Sequence, residues 1–333
     1  MHKLITVFAI YCVLIANTLN ANAETLLDRI RTANYLPANS IQDIQLTKQR
    51  RSEIETIIRA LIDKSYVQTD SKSLVNGFIV ERYIEDGQKF WLVGPSKPAA
   101  EPYVVIAEKA ERNIVFSAPH PIKDRATGIQ AIVLLQALRG RAAIISGNHR
   151  CAATQKTLCS GKTRICGGGR QRYPVSDPAH HLENLFHETH VLLANIWPKS
   201  IFIQLHGFAG RGTETLFVLS DGSRKRKSKD SGIAGRVRDE LRKALGSQAV
   251  ATSCQDTDDD VFGYRKLCAR TNVQGRYLNG SKNICRKSAK MPSGRFLHIE
   301  QQWVVRKAAQ YSGLNASSKI YLETLIHAIK QTH

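Results

Sequence analysis

The sequence predicts an α/β protein with a mixed, largely parallel sheet flanked by helices, and three observations predict it. From residue 113 onward, β-branched and aromatic runs alternate with segments whose apolar residues recur every three or four positions. Before that, residues 76–110 hold three strand-like runs separated by Asp-Gly and proline-rich breaks, the chemistry of an antiparallel lead-in. A hydrophobic content of 42% in 333 residues is enough to bury one large core.

In chain order, "LLDRIRTANYL" and "RSEIETIIRALIDKSY" carry helical spacing, so residues 24–75 are expected to form a helical segment preceding an α/β domain over 76–333. "NGFIVERYI", "KFWLVG" and "PYVVIAEKA" are the lead-in strands. "NIVFSAP" is then a strand and "ATGIQAIVLLQALRG" a helix that Gly140 is expected to stop. "AAIISG" is a strand. "DPAHHLENLFHETHVLLANIW" is predicted as one helix, with Asp177 as N-cap and Pro178 in its first turn. "SIFIQLHGF" is a strand, "SGIAGRVRDELRKALG" a helix, and "GRFLHIEQQWVVR" and "KIYLETLIHAIKQ" close the pattern.

The first 23 residues have a basic start at Lys3, an apolar stretch from Leu4 to Ala16 and a small-residue ending, Ala21-Asn22-Ala23. That is the layout of a cleaved secretory leader, and the apolar stretch is well short of the roughly 20 residues a bilayer span needs. A mature chain beginning at Glu24, secreted or periplasmic and without a membrane span, is expected. Of seven cysteines, Cys12 leaves with the leader. The remaining six, Cys151, Cys159, Cys166 and Cys254, Cys268, Cys285, fall into two clusters of three. In an oxidising compartment an even count reads as disulfides, and complete pairing then needs at least one bridge between the clusters. A net charge of +20 favours acidic partners. In an exported chain, the run "SRKRKSK" at 223–229 is a solvated or polyanion-contacting loop, and a nucleic-acid partner is not expected.

Candidate chemistry gathers at strand ends. His120 follows the strand at 113–116, Asp124 lies in the turn beyond, and His206 ends "IFIQLH". Two imidazoles and a carboxylate make the three-ligand set of a catalytic zinc site; the plain alternative for Asp124 is a cap on the helix that follows. Glu300 interrupts the apolar strand "FLHIEQQW", which suits either a paired core carboxylate or a base aimed into a cleft. "HHLENLFHETH" places His180, Asn184 and His187 on one face of the predicted helix, as a cleft lining that orients ligands or as a plain surface helix. "DTDDD" at 256–260 lacks the glycine and glutamate of an EF-hand and reads as a solvated acidic loop. Asn279 and Asn315 begin glycosylation sequons. The chain has no G-x-S-x-G elbow, no C-x-x-C pair and no phosphate-cradling glycine loop after a strand.

The succession "VFSAPHPIKDRATG", "SGNHR", "SDPAHHLENLFH", "FIQLHGF" and "FLHIEQQWVVR" resembles the N-formylglutamate amidohydrolase and poly-γ-glutamate hydrolase group over roughly residues 100–310. The resemblance implies a zinc carboxypeptidase-like (phosphorylase/hydrolase-like) core, with His120, Asp124 and His206 as metal ligands and Glu300 as the catalytic glutamate. It also implies that Asn148 and Arg150 bind a substrate carboxylate. Two departures stand out: an aspartate occupies the second ligand position where the group carries glutamate at a different spacing, and His149 splits the Asn–Arg pair.

Together these features lead to the expectation of an exported zinc-dependent hydrolase of an amide bond, peptide or γ-glutamyl in type, in an acidic peptide-like or small carboxylate substrate. The alternative is a non-catalytic secreted polyanion-binding protein on a hydrolase-derived scaffold, binding through the 223–229 run and the basic 162–172 loop.

Overall fold

A computed structural model describes residues 24–67, 72–210, 213–260, 262–310 and 316–333. The expected leader and the Asn315 sequon lie outside these residues. The chain divides after Ala33. In the short N-terminal unit, α1 (Leu26–Arg31) is capped by Thr25, whose Oγ1 accepts from the Asp28 amide at 3.1 Å.

The main unit begins with α2 (Lys48–Ile62), capped by Thr47, and a meander of β1 (Lys72–Val75), β2 (Phe78–Glu85), β3 (Gln88–Pro95) and β4 (Tyr103–Ala107). The alternating section follows with β5 (Ile114–Ala118), α3 (Thr127–Ala137), β6 (Ala142–Ile145), α4 (Leu185–Ile196) and β7 (Ile201–Gly207). It continues with β8 (Phe217–Ser220), α5 (Ile233–Leu245), β9 (Ala251–Ser253), α6 (Val273–Leu278), β10 (Phe296–Gln301), α7 (Trp303–Gln310) and α8 (Ala316–Thr332). Among the described residues ten strands join one mixed sheet in the order β1-β2-β3-β4-β6-β5-β7-β10-β8-β9. The lead-in strands and β4–β6 pair antiparallel, as does β10–β8; β6–β5, β5–β7, β7–β10 and β8–β9 pair parallel.

The order places β5 at a switch point, with β6 on one side and β7 on the other. Connections leaving the ends of β5 and β7 therefore diverge and leave a crevice there. One sheet face packs Ile54, Ile57, Ile58 and Leu61 of α2 and Phe186 and Leu193 of α4 against Val115, Phe202 and Phe296. The nearly all-apolar α3 packs on β5 to β7, and α7, α8 and α5 continue the helical layer in successive contact.

Three expectations are corrected. The helix expected over 177–197 starts only at Leu185, with Asn184 as N-cap accepting from the His187 amide at 2.9 Å. Asp177 cannot cap it because its carboxylate is committed elsewhere. Helix α3 ends before Gly140, and Arg139 takes the left-handed conformation (φ 47°); Gly140 is small because a Cβ there would press on the Ile114 carbonyl at 3.0 Å. The "DTDDD" run is not merely solvated: Asp256 is buried and Asp259 half-buried, and both receive Arg238 Nη1, at 2.6 and 3.0 Å.

Three disulfides form, Cys151–Cys166, Cys159–Cys285 and Cys254–Cys268, and the second joins the two cysteine clusters as their odd counts require. Among the described residues no helix is long and apolar enough to cross a membrane.

Candidate metal centre

The parallel register of β7 and β10 builds half of the site. Phe296 lies opposite Phe202, His298 opposite Gln204 and Glu300 opposite His206. Side chains two apart share a sheet face, so the face that begins as core at the two phenylalanines turns polar at its C-terminal end. This register supplies the phase for Glu300 that its strand alone does not reveal.

The other half comes from the turn after β5. The Asp124 amide donates to the His120 carbonyl at 2.8 Å, and the Thr127 amide to the Asp124 carbonyl at 3.2 Å, which closes a tight turn. The N-cap position of α3 is Ala126, with no side-chain cap. The Asp124 carboxylate is therefore not a helix cap. Its Oδ2 lies 3.3 Å from His120 Nδ1 and 3.6 Å from His206 Nδ1. The ligand atoms of His120, Asp124 and His206 all fall within 4.8 Å of one another, and all three residues are buried.

The far nitrogen of each histidine is also held. His120 Nε2 lies 2.8 Å from Asp177 Oδ1, and His206 Nε2 lies 2.9 Å from Gln204 Oε1. Both partners are acceptors, which places the hydrogen on Nε2 and leaves the Nδ1 lone pairs facing Asp124. This is the arrangement in which an outer acceptor fixes the tautomer and aim of a metal-binding imidazole. Gln204 is itself oriented by Asn272, whose Nδ2 donates to the same oxygen.

Asp177 is the residue that sequence reasoning missed. Fully buried, it takes His120 on one oxygen and Arg150 Nε (3.0 Å) and Nη2 on the other. Burial pushes its carboxyl up, but the charges of Arg150 and His120 outweigh that and hold it well below the usual range. For His120, burial and Arg150 favour the neutral ring, and the Asp177 and Asp124 carboxylates reverse that to a net upward shift. Burial pulls His206 down to about 4. Asp124 is held well below its ordinary value, its own burial outweighed by the close approach of the His120 and His206 rings and the charge of Arg150.

Of the remaining expected residues, Asn148 spends its amide on the wall of the site: Nδ2 donates to the carbonyls of His149 (2.8 Å) and Ser176 (2.7 Å), and Oδ1 accepts from Ser146 at 3.1 Å. Arg150 keeps only Nη1 outside its grip on Asp177. Glu300 is buried, its Oε2 has no partner, and burial followed by the Asp124 charge pushes it up to about 8. The His298 ring lies tilted against that of His206, their centroids 4.3 Å apart, and its Nε2 lies 3.8 Å from Glu300 Oε1. His206, His298 and Glu300 are a second group whose atoms approach closely enough for an ion. His180 stands in a loop, not on a helix, stacked at 3.6 Å on Tyr173, with Nδ1 at 3.1 Å from the Thr271 carbonyl.

A strut closes the far side of the turn. Arg306 donates from Nε to the Gln301 carbonyl (3.2 Å) and from Nη1 to the Arg125 carbonyl (2.7 Å), tying the residues that follow Glu300 and Asp124. Its guanidinium lies on the Cα of Gly207, where any Cβ would collide with it.

No protein-family model and no curated protein matches the chain. Among solved structures, it is similar to an N-formylglutamate amidohydrolase from Ralstonia eutropha JMP134, at 12% identity and a TM-score of 0.40 over 70% of this chain and 97% of that one. It is also similar to an N-acetylmuramyl-L-alanine amidase from Mycobacterium smegmatis, at 12% identity and a TM-score of 0.33 over 67% and 97%. A metallo-carboxypeptidase from Burkholderia cenocepacia aligns at 11% identity and a TM-score of 0.33 over 76% of each chain.

Proposed function

We propose that the protein is an exported, zinc-dependent hydrolase that cleaves an amide bond, peptide or γ-glutamyl in type, in a carboxylate-bearing substrate. The observation that carries this reading is the convergence of His120 Nδ1, Asp124 Oδ2 and His206 Nδ1, with both far nitrogens already fixed by Asp177 and Gln204. Two imidazoles and one carboxylate suit zinc, and three protein ligands leave a position open. A zinc ion held there would acidify a water and polarise the scissile carbonyl.

The chain's own residues would do the rest. The partnerless Oε2 of Glu300, one strand away from His206, would take the water's proton and return it to the departing amine. Arg150, through Nη1, would grip a substrate carboxylate, while Asn148 shapes the wall beside it. The leader-like start and the three disulfides support export.

Metal content per chain, measured by elemental mass spectrometry, tests the reading on the parent, His120→Ala and His206→Ala. About one zinc in the parent, little in either variant, and chelator-sensitive release of amines from γ-glutamyl peptides are the expected results. A parent that takes up no metal when zinc is supplied would sink it.

A further inference from the structure

We infer that Arg224, Arg226 and Arg270 form a second anion-binding site beside the metal centre, built for a polyanionic chain that carries several carboxylates or phosphates. Separate turns bring these residues together. Lys227 bridges to Asp256, and Arg226 Nη2 donates to the Asp256 carbonyl at 2.7 Å, which lays the 223–229 turn along the 254–260 segment. The Cys254–Cys268 disulfide and a 2.9 Å bond from Ser220 Oγ to the Cys268 carbonyl fix the 265–270 turn to the same place. Arg224 and Arg270 share a third anchor, because the Arg224 amide donates to the Ala289 carbonyl (2.9 Å) and Ser288 Oγ donates to the Arg270 carbonyl (2.7 Å).

Two nearby acids are already engaged by other arginines. Asp256 and Asp259 are taken by Arg238, and Asp259 also by Arg242. Among the described residues, none of Arg224, Arg226 and Arg270 pairs with a carboxylate. The Nε atoms of Arg226 and Arg270 are buried without any partner. Burial, followed by the charges of Arg226, Arg224 and Arg265, pulls the Arg270 guanidinium below its ordinary range. Crowded like charges of this kind are costly until an anion lies among them, and planar guanidinium forks suit carboxylate and phosphate oxygens.

The cluster also adjoins the metal centre through the next two residues of the chain. The Thr271 carbonyl meets His180 Nδ1, and Asn272 Nδ2 meets the Gln204 oxygen that orients His206. An acidic chain gripped at Arg270 would therefore extend toward the ligands. Naming that chain as substrate rests on the hydrolase reading; the binding itself does not.

The test is fluorescence anisotropy with labelled poly-L-glutamate, and competition by inorganic polyphosphate, on the metal-stripped full chain across a salt series. Arg224→Gln/Arg226→Gln and Arg270→Gln are compared with Lys64→Gln/Lys109→Gln, which removes the same charge as the double variant elsewhere. The expected result is binding that weakens steeply with salt, is about tenfold weaker in the double arginine variant and in Arg270→Gln, and stays within about twofold in the lysine control (tenfold is ~1.4 kcal/mol). Matching thermal melts for Arg224→Gln/Arg226→Gln and the parent exclude unfolding as the cause. Tighter binding of polyglutamate identifies a carboxylate chain and of polyphosphate a phosphate chain, and either supports the site. A parent that binds neither, or a lysine control that loses as much, overturns it. Binding is read without turnover, so failure of the hydrolase reading leaves this result standing, and the reverse also holds.

Discussion

Replacing Asp177 by asparagine changes one atom and separates two roles. In the parent, one carboxylate oxygen receives His120 at 2.8 Å and the other receives Arg150. An amide can turn its oxygen to only one of them, so its NH2 must face a donor on the other side. Arg150 is 6% exposed, and a buried charge left without its partner costs roughly 3–5 kcal/mol. For a chain of this size that is a loss of about 10 °C in thermal midpoint. Where the oxygen turns to Arg150 instead, the imidazole loses its fixed aim, which typically weakens metal binding about 10–100-fold, or ~1.4–2.7 kcal/mol. The assay is a thermal melt together with zinc competition against a chromophoric chelator. Arg150→Met/Asp177→Asn removes the orphaned charge and frees the amide oxygen to accept from His120, so it should regain most of the midpoint and most of the zinc affinity. If Asp177→Asn matches the parent in both thermal midpoint and zinc affinity, Asp177 is a packing residue and the outer-shell argument is wrong.

Glu300→Gln should keep about one zinc per chain while turnover falls roughly 10²–10⁴-fold; a variant that loses the metal would make Glu300 a ligand instead. In the metal-free protein, Glu300 titrates at about 8 against an ordinary value of 4.5, so the folded state holds a proton that the unfolded state releases. That contribution favours folding at low pH and is lost as pH rises toward 8. His206, pulled down to about 4, acts in the opposite sense but only up to its ordinary 6.5. Denaturant midpoints at pH 6.5 and 8 should therefore fall more steeply for the metal-free parent than for Glu300→Gln, and equal slopes would contradict the assignment. Removing Cys159–Cys285, which spans 126 residues, should cost about 5 kcal/mol, against about 3 for Cys151–Cys166, which spans 15; the reverse order of thermal midpoints would show that native-state strain, not chain entropy, decides.

The strands and helices with strong periodicity were legible in the sequence. So were His120, Asp124 and His206, because strand ends in an alternating α/β pattern are where such residues gather. What could not be read is which far-separated segments meet. Glu300 shares a face with His206 only through the β7–β10 register, and β8 separates those strands in sequence while lying outside them in the sheet. Asp177 looked like a helix cap because Asp-Pro before an apolar run is good capping chemistry. Tertiary demand from His120 and Arg150 outbids a cap worth ~1 kcal/mol, and the helix retreats to Asn184. Asp124 reads equally well as a cap from sequence, and there the cap reading is the one that fails.

The same comparison explains why disulfides concentrate where they do. His206 and Glu300 lie on paired strands and need no further tether, whereas Asp177 sits in the irregular stretch between β6 and α4, where no ladder fixes the backbone. A ligand-orienting carboxylate tolerates only a small positional error. Cys151–Cys166 and Cys159–Cys285 tie that stretch to itself and to the segment before β10, while Ser176 Oγ stitches it to the Arg150 carbonyl at 2.9 Å. The covalent links thus take over, for Asp177, the positioning that hydrogen-bonded strands give to the residues across the crevice. A chain in an oxidising compartment can use such links, so the placement of the cysteines and the geometry of the candidate metal centre are one structural solution.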